Sequence, residues 1–293
     1  MNHYGLDPAW YFSAPGLAWD AALKITKVKL ELLSDSDMLL MIESGIRGGI
    51  ATISHRHAQA NNEYMGTEFD AAKESKFISY LDANNLYGWA MSKQLPTSGF
   101  EWMTDDELDD RKHLNFILEV DLEHPEELHN LHSDCPLTSE CVKIGNVEKL
   151  IPNLNNKTNY VVHLENLKLY ESLGLKITKI HRGIQFEQSA WLVDHINLKT
   201  KLRIKAKQSR NNFEVNFFKL MNNSVFGKTL ENIRNRVGTR LISTEKVAQK
   251  LAAKPSYDRC TIFDANLIAV HMKKTKLYFI KPVYLGMSIL DLS

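Results

Sequence analysis

Tyr80–Met91 reads YLDANNLYGWAM. The residues leading into it, Phe77–Asp82 (FISYLD), form an apolar run that predicts a buried strand ending in an aspartate. A carboxylate there sits where the backbone turns into solvent, and its hard oxygens suit a cation such as Mg²⁺. Asn84, Asn85 and Gly88 are turn-forming residue types, and Tyr87 projects from that turn. The other account of a strand-end aspartate is a cap or turn residue with no ligand.

A second stretch, KLMNNSVFGK at 219–228, has helical spacing. Lys219, Asn223 and Gly227 recur every four residues and share one face. That face sets an ammonium, an amide and a bare backbone patch in a row. Such a set suits a nucleotide, with the cation on its phosphates and the glycine admitting a base or sugar. Helix packing or back-bonding is the alternative for the Asn-Ser pair. Upstream, Lys199, Arg203, Lys207 and Arg210 also line one helix face. Helices over about 189–208 and 213–234, parted by Ser209–Asn212, predict a hairpin that brings Lys207 toward the same anion as Lys219.

Outward from these stretches the signals are shorter. A helix is read over Leu17–Leu23, and a strand over Val28–Leu33 (VKLELL). Ser34 offers an N-cap to the apolar run Asp37–Ile46, and Ile50–Ile53 reads as a strand. Residues 54–75 read as a polar loop. An acidic helix at Thr104–Asp110 precedes a strand at Phe116–Asp121, and 124–158 reads as loop. Strands at Tyr160–Leu164 and Leu175–Phe186 flank a short helix ending near Gly174. Further strands are expected at Thr239–Ser243, Thr261–Phe263 and Leu267–Met272, and Pro282 opens a last helix.

The 293 residues are 44% hydrophobic and 24% charged, a globular balance that excludes a disordered tail, collagen or a disulfide scaffold. No apolar run approaches the ~20 residues of a membrane span. The opening MNHYGLDPAW lacks a signal-peptide pattern, and three cysteines fit reduced thiols in an intracellular setting, nuclear or cytoplasmic, with an organelle as the alternative. The net charge of +1 hides a segregation: 101–150 carry fourteen acidic and four basic residues, 199–240 eleven basic and two acidic. The second segment is an electrostatic footprint for a polyanion; a solvated helix face is the alternative.

The two stretches, in this order, resemble the family B DNA polymerases, most closely the protein-primed branch of viruses, organellar linear plasmids and self-synthesising DNA transposons. The family's Asp-x-x-(Ser/Asn)-Leu-Tyr-(Pro/Gly) matches Asp82 to Gly88, and its Lys-x-x-x-Asn-Ser-x-(Tyr/Phe)-Gly matches Lys219 to Gly227. The resemblance implies an α+β fold: a palm with a mostly antiparallel sheet and a helical fingers hairpin, in an incomplete right-hand architecture. It implies the end of an exonuclease-like region at 1–65 and a first palm part at 66–188 with an acidic insertion at about 101–158. Fingers at 189–232 and a continued palm at 233–293 complete that division. It implies a DNA-directed DNA polymerase that adds deoxynucleotides to a primer 3′-hydroxyl. Its partners would be primer–template DNA, deoxynucleoside triphosphates and a terminal-protein primer, with no membrane. Asp82 and the Ala83 carbonyl would bind catalytic Mg²⁺. Asn85, Leu86 and Tyr87 would border the nucleotide, with Tyr87 under its sugar selecting deoxyribose. Lys207 and Lys219 would contact the triphosphate, and Asn223 and Gly227 the nascent base pair. Arg203, Ser224, Lys228 and Arg234 would contact DNA.

One departure stands out. The family's second carboxylate motif, Asp-Thr-Asp, has no counterpart after Lys228; the sole Asp-x-Asp, Asp35 and Asp37, lies at a predicted helix start. The expectation is therefore a truncated polymerase with an incomplete two-metal site, weak or inactive alone. The alternative is a non-catalytic nucleic-acid-binding remnant. His129, His132, Cys135 and Cys141 are residue types that zinc accepts, but their spacing fits no common module and an exposed loop is the simpler reading. His55, Arg56 and His57 read as solvated surface, and Lys273, Lys274 and Lys276 as a small basic cluster.

Overall fold

The computed structural model describes residues 4–109 and 115–293. They form two compact units, one of 4–229 with 282–293 and one of 230–281. In the first unit the chain opens with helices α1 (Ala14–Thr26) and α2 (Ser36–Ser44). Then follow α3 (Leu86–Met91), β1 (Leu95–Trp102), α4 (Asp105–Asp109), β2 (Phe116–Glu123) and α5 (His129–His132). A hairpin of β3 (Glu140–Ile144) and β4 (Val147–Ile151) leads to β5 (Lys157–His163), α6 (Leu164–Ser172) and β6 (Lys176–Ser189). The helical hairpin is α7 (Val193–Gln208) and α8 (Asn212–Thr229). The second unit holds β7 (Val237–Ile242), α9 (Glu245–Ala252), β8 (Tyr257–Asp264) and β9 (Leu267–Lys273), with strand order β7-β9-β8. The chain returns to the first unit with α10 (Val283–Leu292).

The main sheet has the order β1-β6-β2-β5 and is antiparallel throughout. Successive strand residues point to opposite faces. In β2, Phe116, Leu118, Val120 and Leu122 join one apolar cluster with Leu164, Leu167 and Tyr170 of α6. Ile117 points the other way, into a cluster with Val161, Ile184 and residues of α1, α2, α8 and α10. Both faces are thus covered by helices, the arrangement an α+β sheet needs to bury two apolar surfaces.

Local chemistry accounts for the element ends. Asp35, not Ser34, caps α2: its carboxylate accepts the Asp37 and Met38 N–H groups at 2.7 and 3.3 Å. The same side chain accepts the Trp102 indole N–H at 2.9 Å, and that hydrogen bond, with the cap, holds its carboxyl below the usual range. Lys27 ends α1 in the left-handed region.

Several sequence expectations are corrected. Phe77–Asp82 is not a strand, and its large side chains lie exposed, Tyr80 at 95% and Leu81 at 89%. An apolar run becomes a strand only beside a partner, and none of the described strands runs along it. Val28–Leu33 is likewise irregular, with one ladder-like bond from Glu31 N–H to the Thr97 carbonyl at 2.9 Å. Ile50–Ile53 also forms no strand. Conversely, the 124–158 loop contains the β3–β4 hairpin, closed by Gly145-Asn146 with Gly145 at φ +63°, a conformation glycine adopts freely. Helix α9 was not expected. The first hairpin helix starts at Val193 because Ser189 is still paired with Leu95 in the sheet.

Candidate functional site

The two diagnostic stretches meet in space. Asn85 takes the left-handed conformation (φ 59°, ψ 41°) just before α3. Its side chain folds over the first turn, where Gly88 leaves room: a Cβ on Gly88 would lie 2.1 Å from Asn85 Nδ2. The freed carboxamide oxygen accepts a hydrogen bond from Asn222 Nδ2 on α8 at 3.1 Å. One residue pair further, Tyr87 stacks flat on Phe226, with ring centres 4.4 Å apart and planes 14° apart. Stretches 137 residues apart in sequence are therefore locked by one hydrogen bond and one ring stack.

Beside this joint lies a cleft of about 120 Å³, lined among others by Asn85, Lys199, Arg203, Lys207, Lys219 and Asn222. Four of its residues are cationic and none is acidic. Lys207 and Lys219 are exposed, and Arg203 is half-buried. Arg203 Nε and Asn222 Oδ1 are buried without a partner among the described residues. Such a concave, carboxylate-free cationic site concentrates anions. At its floor Lys199 is 1% exposed, with Nζ 3.2 Å from His195 Nε2. Burial pulls Lys199 down to about 7. His195 falls to about 3, through burial and then the Lys199 charge.

Of the residues singled out from sequence, Asn85, Arg203, Lys207 and Lys219 come together here. Asn223 and Gly227 are exposed on α8, as is Lys219, and a Cβ on Gly227 would meet open space. Asp82, Ala83 and Leu86 are exposed beside the joint but do not line the cleft. Ser224 is buried and Lys228 half-buried. Arg234 belongs to the second unit, its guanidinium 4.9 Å from the Phe279 ring centre. Sequence reasoning overlooked Asn222 and His195. Asn223 was the visible candidate, yet its neighbour Asn222 is the one turned into the cleft.

The zinc-type set does not assemble. His124 Nε2 lies 2.9 Å from His132 Nδ1, His129 faces the His124 carbonyl, and Cys135 and Cys141 are exposed free thiols. Among the described residues no group of three or more His, Cys, Asp or Glu side chains is placed to hold a metal ion, and no helix is long and apolar enough to cross a membrane.

The buried imidazoles make stability depend on pH. Burial also drops His163 to about 4. Unfolded histidines take up protons near pH 6.5, whereas these two stay neutral in the native state until about pH 4 and about pH 3. Acid therefore favours the unfolded chain across that window, and stability falls as pH drops below 6.5. Asp291, raised to about 6 by burial, opposes part of this between about pH 4 and 6. The expected result is a lower urea midpoint at pH 5 than at pH 7, with a smaller drop in His195→Gln. An unchanged midpoint would show that neither imidazole is buried neutral.

The family model described as DNA polymerase type B, organellar and viral, matches residues 57–282. Among solved structures, phi29 DNA polymerase in its orthorhombic crystal form superposes with a TM-score of 0.57 at 14% identity, covering 97% of this chain and 44% of that one. Phi29 DNA polymerase complexed with primer-template DNA gives 0.56 at 15% identity, covering 98% and 44%. Its ternary complex with primer-template DNA and incoming nucleotide gives 0.53 at 15% identity, covering 96% and 43%. The chain thus spans under half the length of those polymerase chains. None of the curated proteins matches it.

Proposed function

Because the chain belongs to the organellar and viral type B DNA polymerases, we propose that it binds a deoxynucleoside triphosphate in the α7–α8 cleft for template-directed addition to a DNA primer. The single observation carrying this is the convergence of Lys207, Lys219 and Arg203 on a carboxylate-free cleft beside the Tyr87–Phe226 stack. The three cations take the phosphates, and Tyr87 takes the sugar and meets a 2′-hydroxyl. Asn223 and Gly227, exposed along the face of α8 that carries Lys219, border the nascent base pair. Lys228 and Arg234 each contribute a contact to DNA phosphate.

Family B chemistry uses Mg²⁺ to activate the primer hydroxyl and to neutralise the leaving pyrophosphate. The Asp82 carboxylate and the Ala83 carbonyl are donors of the right hardness for it. They would form one edge of such a site; among the described residues no group of three or more His, Cys, Asp or Glu side chains is placed to complete it. On their own, Lys207, Lys219 and Arg203 hold phosphate and Tyr87 orients the sugar.

A second reading, nucleic-acid binding without catalysis, draws on the net +9 of residues 199–240. Nucleotide discrimination separates the two. The expected result is a several-fold preference for deoxy- over ribonucleoside triphosphate that disappears in Tyr87→Ala, measured by competition binding. Salt-sensitive DNA binding with no nucleotide preference in the parent chain would leave only the second reading.

A further inference from the structure

A lysine is almost never fully buried without a counter-charge, because an unpaired ammonium away from water is costly. Lys199 breaks this rule. It is 1% exposed, and its hydrogen-bond contact among the described residues is with His195, itself almost fully buried. The groups facing it are His195 and Arg203 on its own helix, the Tyr4 ring at 5.1 Å from the N-terminal segment, and Lys219 across the cleft from α8. Helix α3 brings no charged side chain. Asp20 of α1, Asp194 of α7 and Glu214 of α8 do not act on it, since burial is the sole cause of its displaced titration.

The hydrogen-bond chemistry fits a neutral amine. Uncharged Lys199 can either donate to His195 Nε2 or accept from it, according to the imidazole tautomer, and Nδ1 is a buried atom without a partner among the described residues. The same amine borders the cleft in which Arg203 Nε also lacks an acceptor. The floor of the cleft is thus lined by basic side chains, and Lys199 is the most deeply buried of them.

We propose that Lys199 is a fourth, buried phosphate-binding residue, which takes a proton from solvent when the polyphosphate of a nucleotide enters the cleft. This rests on reading the cleft as the triphosphate site. An arriving polyanion supplies the opposite charge that restores the ammonium form, so binding and protonation are linked and affinity falls as pH rises above 7. The charge is then only partly present without a nucleotide, and the ligand-free cleft repels neighbouring cations less.

The test is calorimetry of the full chain with inorganic tripolyphosphate at pH 8.0, in buffers of different ionisation enthalpy. A lysine titrating near 7 is about one-tenth charged at that pH, so uptake of about 0.9 proton per ligand is expected in excess of that seen in Lys199→Arg. The arginine variant keeps the charge permanently and should bind without that excess. Equal proton uptake in the two proteins overturns the proposal while leaving the cleft a phosphate site, provided Lys219→Ala still weakens tripolyphosphate. No tripolyphosphate binding at all overturns both. Should Lys199→Arg not fold, ¹³Cε-lysine NMR of the parent chain decides alone. One lysine midpoint near 7 that rises on adding tripolyphosphate supports the proposal, and no such lysine refutes it.

Discussion

Replacing Lys219 by alanine should weaken deoxynucleoside triphosphate binding by about 10–100-fold, the worth of one charge-assisted hydrogen bond to phosphate. Duplex binding should change far less. Lys219 stands on the exposed lip of the cleft, with no ion-pair partner among the described residues, so its removal takes away ligand contact and not a structural pair. A duplex is held by many phosphate contacts spread over a surface, and losing one lowers affinity by a small factor. Filter binding with labelled nucleotide and with labelled duplex gives both numbers from one preparation. Equal losses would make Lys219 a generic phosphate contact and would undo its assignment to the nucleotide.

The largest stability effect is expected at Phe116. It is fully buried in β2, between the neighbouring strands β5 and β6, and belongs to the cluster that α6 closes with Leu167 and Tyr170. Phe116→Ala removes a ring from a site walled by sheet on its flanks and helix above, which cannot collapse to fill the space. The expected cost is about 3–5 kcal/mol by urea unfolding. Deoxynucleotide discrimination should persist in the fraction that stays folded, because the cleft draws on the other face of the sheet. A cost below about 1 kcal/mol would mean that this cluster is loosely packed.

What was legible in the sequence follows from where each signal's cause lies. Strand β2 and the β5–α6–β6 succession carry their own alternation and turn residues, so a local reading finds them. The hairpin of α7 and α8 announces itself by two helical repeats and a polar break at 209–212. Phe77–Leu81 misleads because apolarity records a demand for burial and not the presence of a neighbour to pair with. The β3–β4 hairpin is hidden by the opposite effect: its strands are short and largely exposed, so they lack an apolar stripe, and only Gly145-Asn146 marks the turn. At the site, the visible repeat of Lys219, Asn223 and Gly227 identified the helix but not all of the working face. Asn222 is buried because Asn85 is there to receive it, a fact held 137 residues away. Lys199 is the extreme case. In sequence it is one more cation in a basic row, and only the packing of Tyr4 and His195 against it removes it from water.

Helix α10 has a consequence for how this chain is made. Its Tyr284 hydroxyl donates to the Glu31 carbonyl at 2.6 Å, and its Leu285, Met287 and Ile289 fill the cluster begun by α1 and α2. Helix α2 emerges from the ribosome long before α10, which packs on it. With 253 residues between donor and acceptor, synthesis at ~5–20 residues per second leaves the apolar face of α2 without α10 for roughly 13–50 s. Over that interval the nascent chain displays the kind of surface that chaperones bind, and α2 waits on α10.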